Sequence, residues 1–88
     1  MPKAYLKIDN QRGFHARAAA KFVKIAGDYD IEVTVSKDGQ TVSGISIMGL
    51  LMLAAMPGDK IVLETTGAQA IEGLKALSDL IKKNFEEL

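Results

Sequence analysis

From residue 3 to residue 8 the chain alternates, with Ala4, Leu6 and Ile8 on one side and Lys3, Tyr5 and Lys7 on the other. Successive side chains of a strand point to opposite faces, so this is a strand with one wet face. A loop over 9–13 follows, and then the period changes. Ala19, Phe22, Val23 and Ala26 recur at i, i+3, i+4 and i+7, which predicts a helix over 16–26 with one buried face. Gly27 is suited to the left-handed position that closes such a helix. Alternation returns with Ile31, Val33 and Val35 against Glu32, Thr34 and Ser36. Asp38-Gly39 signals a hairpin, and 41–43 reads as a short edge strand. A second helix is predicted over 46–54, a turn at Met56-Pro57-Gly58-Asp59, and a strand over 60–66. The last helix, over 69–85, carries Ile71, Leu74, Leu77 and Ile81 as its apolar stripe, with Lys75, Asp79, Lys82 and Lys83 facing water. The order β-α-β-β-α-β-α and the wet-faced strands predict an α+β fold, a four-stranded antiparallel sheet with helices on one face.

Size and charge narrow the function. The 88 residues suit a single domain over 1–88, and 48% apolar residues are ample for its core. There is no cysteine and one histidine, which excludes disulfides, thiol chemistry and multi-histidine or cysteine metal sites. Eleven basic residues balance eleven acidic ones, against the basic surface that nucleic-acid binding needs. The run Met1-Pro2-Lys3-Ala4-Tyr5 is no signal peptide, and no apolar run is long enough for membrane insertion, so the protein is expected in the cytoplasm.

The single histidine lies in Gly13-Phe14-His15-Ala16-Arg17-Ala18-Ala19-Ala20-Lys21-Phe22-Val23, where an extended segment becomes a helix. Gly13 allows a corner there. At the N-cap, His15 would stand beside backbone N–H groups that lack helical partners, a setting that attracts phosphate. An imidazole is largely neutral and nucleophilic near pH 7, and Arg17 offers a fork for phosphate oxygens. A phosphate on Nδ1 could reach the N–H groups of Ala16 and Arg17. On spacing alone, the same residues also fit an exposed histidine beside a solvated arginine.

The second helix is apolar nearly all round: Ile47, Met48, Leu50, Leu51, Met52 and Leu53, with Met56 beyond. Leu50 and Leu53 are the expected core residues, and Ile47, Met48 and Leu51 the expected exposed patch. A mostly buried helix is the other reading. Arg17, Lys21 and Lys24, at i, i+4 and i+7, form either a solvated face or a rim for acidic partners. Ser46 is a good N-cap.

Gly13-Phe14-His15-Ala16-Arg17, ahead of an alanine-rich helix, resembles the active-site segment of the HPr family, the histidine phosphocarriers of the bacterial phosphotransferase system. Ser46-Ile47-Met48-Gly49-Leu50-Leu51 resembles the second functional segment of that family, and the two runs stand at the family's separation over essentially the whole chain. The resemblance implies an open-faced sandwich, three helices on one face of the sheet, with the two segments adjacent. It implies that His15 takes a phosphoryl group from phosphorylated enzyme I and passes it to an enzyme IIA domain, in sugar uptake or its regulation. His15 and Arg17 would be the catalytic residues, with Ala16 and Arg17 binding phosphate. Ala16, Ala20, Lys21, Lys24, Ile47, Met48 and Leu51 would dock partners, and Ser46 would be the serine phosphorylated by HPr kinase/phosphorylase. Such a carrier is a monomeric, stoichiometric intermediate, not an enzyme, with no cofactor and no metal. Two positions depart from the common pattern: Ala18 stands where most members have proline, and Ile45 where most have a polar or basic residue. The alternative is a small α+β binding or regulatory module without covalent chemistry. An RNA-binding version would need a basic surface, a stacking platform or a Gly-x-x-Gly clamp.

Overall fold

The alternating segments become Lys3–Lys7 (β1), Glu32–Lys37 (β2), Gln40–Ser43 (β3) and Lys60–Thr66 (β4) in the computed structural model, which describes residues 1–86. Glu87 and Leu88, the end of the domain expected over 1–88, lie outside the described residues. The strands form one antiparallel sheet in the order β1-β4-β2-β3, with β1 and β3 at its edges. Rows of partners run across it, such as Tyr5, Val62, Ser36 and Thr41 on the open face. The opposite face carries Val33, Val35, Ile61 and Leu63, each at most 4% exposed. Ala16–Gly27 (α1), Ile47–Leu53 (α2) and Ala70–Lys82 (α3) supply most of the rest of the described core, and Ile8, Phe14, Ala55 and Phe85 complete it from the connecting segments and the C-terminal turn. This is the expected open-faced sandwich.

Local chemistry explains the corners. Asp38 and Gly39 both have positive φ, 50° and 85°, and join Lys37 to its partner Gln40 as a two-residue hairpin. Ser46 caps α2, its Oγ accepting the Gly49 amide at 2.9 Å.

Three expectations need correction. Gly27 is the last residue of α1 and does not take the left-handed form; the helix closes through the Asp28 amide on the Ile25 carbonyl at 3.0 Å. Ile71 is 73% exposed, not part of the buried stripe of α3, which runs through Gly73, Leu77, Leu80 and Ile81. Gly73 decides that register, because it lies against Ile31 and a Cβ there would come within 2.7 Å of Ile31 Cδ1. A count of apolar residues does not see a glycine that packs. The last helix also stops at Lys82 rather than at residue 85. Asn84, Phe85 and Glu86 have φ of 55°, 56° and 60°, a left-handed turn that buries Phe85 completely.

Candidate functional site

Asn10 fixes the approach to α1. Its Nδ2 donates to the Gly13 carbonyl at 2.7 Å, and the Gly13 amide donates to the Asn10 carbonyl at 3.2 Å. Asn10 is buried, so this loop is closed by polar bonds shielded from water. Gly13 has φ +64°, and a Cβ there would run into the Ala55 carbonyl. That carbonyl serves the next residue: the Phe14 amide donates to it at 2.9 Å. The buried Phe14 ring stands edge-on to Phe22, 5.4 Å between centroids, and tilted against Phe85 at 5.1 Å. Residue 14 is therefore held by both its backbone and its ring.

His15 is the N-cap of α1, with extended backbone (φ −87°, ψ 179°) and its carbonyl accepting the Ala19 amide at 2.8 Å. Its imidazole does not cap the helix. Because the helical bonds begin at Ala19, the amides of Ala16, Arg17 and Ala18 have no acceptor within the helix. Ala16 and Arg17 are exposed, whereas Ala18 is completely buried. The first turn has no acidic residue to repel an anion. An anion here would meet outward N–H groups, the positive end of a twelve-residue helix and the Arg17 side chain.

α2 packs against α1. Gly44, ahead of α2, packs against Phe22, and Ala55, beyond it, packs against Gly13. The C-terminal end of α2 is thus the end nearer His15. Leu50 and Leu53 are buried, as expected. Opposite them, Met48 and Met52 are 66% and 75% exposed, with Ile45, Ile47 and Met56 also open to solvent. Leu51 is half-buried and packs against the core, so it belongs to the flank of this patch rather than its centre. Ala20 and Lys24 are exposed on α1. Lys21 is half-buried and donates to the Phe85 carbonyl at 2.8 Å, which ties α1 to the C-terminal turn.

The turn after α2 is held by charge. Lys37 Nζ lies 3.2 Å from Asp59 Oδ2 and 3.1 Å from the Ala54 carbonyl. Asp59 Oδ2 also accepts the Met56 amide at 2.8 Å. The Met56 amide first, and Lys37 second, hold the Asp59 carboxyl below the ordinary value of 3.8.

Comparison with known proteins fits this geometry. The family model for PTS-HPr, described as the PTS HPr component phosphorylation site, matches residues 3–83. The chain belongs to the HPr family. It is 48% identical to phosphocarrier protein HPr of Neisseria meningitidis serogroup A over 99% of this chain and 98% of that one. It is 47% identical to phosphocarrier protein HPr of Pseudomonas aeruginosa, with the same coverage. A crystal structure of HPr from Thermoanaerobacter tengcongensis superposes with a TM-score of 0.95 at 38% identity, covering 100% of this chain and 99% of that one.

The HPr family to which the chain belongs is a phosphocarrier family of the phosphotransferase system. Among the described residues, no helix is long and apolar enough to cross a membrane. Sequence reading missed Met52 and Met56 as members of the exposed patch. Part of the signal was present: Met48 and Met52, four residues apart, share the side of α2 away from Leu50 and Leu53, while Met56 lies in the turn beyond the helix.

Proposed function

We propose that His15 carries the phosphoryl group. The observation behind this reading is the placement of the chain's one histidine at the N-cap of α1, on a loop anchored by Asn10, Gly13 and Phe14. Phosphorylated enzyme I presents its phosphoryl group; the Nδ1 lone pair of neutral His15 attacks phosphorus in line as the bond to the donor breaks. The new phosphate lies against the amides of Ala16 and Arg17, and the Arg17 guanidinium offsets its charge. An enzyme IIA domain then takes the group in a second in-line step. The partners provide most of the catalytic positioning, so the carrier is a stoichiometric intermediate in the cytoplasm, acting as a monomer in sugar uptake or its regulation.

Docking falls to Ala16, Ala20, Lys24, Ile47, Met48 and Leu51, with Met52 added by its exposure. Lys21 contributes charge from its station on Phe85. Methionines suit a surface that must fit two partners in turn. Ser46 combines two roles in this reading, a cap for α2 and a site for HPr kinase/phosphorylase, whose phosphate would place about two negative charges beside the docking patch.

Rapid-quench transfer from phosphorylated enzyme I tests the assignment of Arg17. Arg17→Lys keeps the charge but loses the fork, so it should slow transfer less than Arg17→Ala does. Equal rates for wild type and both variants would remove Arg17 from the mechanism.

A further inference from the structure

We infer that Lys37 and Asp59 are positioning residues for His15, acting through the turn between α2 and β4; the inference rests on the phosphocarrier reading above. Lys37 ends β2, at some remove in sequence from the histidine, and its side chain is only 17% exposed. Its ammonium has three donors. They meet the Leu53 carbonyl at 3.3 Å, the Ala54 carbonyl at 3.1 Å and Asp59 Oδ2 at 3.2 Å. The two carbonyls belong to the last turn and cap of α2, where helical donors have run out and a cation is favoured. Asp59 in turn accepts the Met56 amide at 2.8 Å. One ammonium and one carboxylate thus tie both ends of the segment 53–59 together.

This segment needs holding. Ala54 has φ 57°, a left-handed conformation that a residue with a Cβ does not favour. Its other side grips the stretch that delivers the histidine. The Ala55 carbonyl accepts the Phe14 amide at 2.9 Å, the Gly58 amide donates to the Ile8 carbonyl at 2.8 Å, and the Ile8 amide donates to the Asp59 carbonyl at 2.9 Å. A shift of the Ala55 carbonyl is a shift of the Phe14 amide, one residue from His15. In-line transfer is sensitive to displacements of that order. Lys37 and Asp59 reach the chemistry only through this turn, so they position and do not catalyse.

Two readouts on Lys37→Met, Lys37→Arg and Asp59→Asn test the inference. Amide hydrogen exchange at Phe14 requires no phosphotransfer and reports the grip itself. Single-turnover transfer from phosphorylated enzyme I, over a range of carrier concentrations, separates the saturating rate from docking. Lys37→Met and Asp59→Asn should exchange faster at Phe14 and lose about tenfold in saturating rate, with half-saturation changed less than about twofold. Lys37→Arg should recover most of the rate. Wild-type exchange at Phe14 in both uncharged variants would overturn the mechanical link. A lowered melting temperature with an unchanged saturating rate would overturn the positioning role and leave a plain structural ion pair. If Lys37→Met does not fold, Asp59→Asn decides by the same readouts. A wild-type chain that accepts no phosphate would instead defeat the phosphocarrier reading, a distinct result.

Discussion

Phe14 and Phe22 stand edge-on, their ring planes 70° apart, so the residue before His15 is fixed by the helix that His15 begins. Phe85 closes the same cluster from the C-terminal turn. Aromatic pairs of this geometry add to the gain from burial.

Phe14→Ala should therefore cost about 3–5 kcal/mol by urea unfolding. Phe14→Leu fills much of the volume and should cost clearly less, while still slowing transfer through a looser His15. A Phe14→Ala variant as stable as wild type would show that the cluster contributes little to the core.

Much of this arrangement was legible in the sequence, and the exceptions share a cause. Period-2 and period-3.6 patterns located the strands, α1 and the Ser46 cap because those features are set by residues close together in the chain. Leu50 and Leu53 were identified as core because a short helix in a small domain can bury only one side. Tertiary partners hid the rest. Gly73 packs on Ile31 and turns Ile71 outward, and Phe85 leaves the helix to meet Phe14. The Lys37–Asp59 pair joins residues 22 positions apart, beyond any local pattern. At the site, the His15 N-cap was readable from Gly13 and the helix that follows. The hold of Ala55 on Phe14 was not, since a backbone carbonyl carries no sequence signal.

Ala54 is a testable strain. Its φ of 57° is one that glycine adopts freely, and the position lies just past the last helical residue. Ala54→Gly should raise stability by about 1 kcal/mol, read from urea midpoints at constant m-value. A decrease would mean that the left-handed form costs alanine nothing here.

Met52 is the most exposed of the methionines on α2, so its loss should affect partners and not the fold. Met52→Glu should weaken enzyme I binding, measured by calorimetry, with a stability change within about 0.5 kcal/mol. Leu51→Glu should destabilise strongly, because Leu51 packs against the core. Unchanged binding in Met52→Glu would exclude this end of α2 from the interface.

Ser46 separates a cap from a switch. Ser46→Ala loses the bond from Gly49 and should cost about 1 kcal/mol while leaving transfer nearly intact. Ser46→Asp keeps a capping oxygen, so it should fold as well as wild type yet accept phosphate from enzyme I more slowly. Equal phosphorylation rates for Ser46→Asp and wild type would leave Ser46 as a cap alone.

The most direct test of the central claim is intact-mass measurement after incubation with enzyme I and phosphoenolpyruvate. The wild-type chain should gain one phosphate that is lost on acid treatment, and folded His15→Ala should gain none. A wild-type chain that gains no phosphate, or a His15→Ala chain that still gains one, would contradict the assignment of His15 as the carrier of the phosphoryl group.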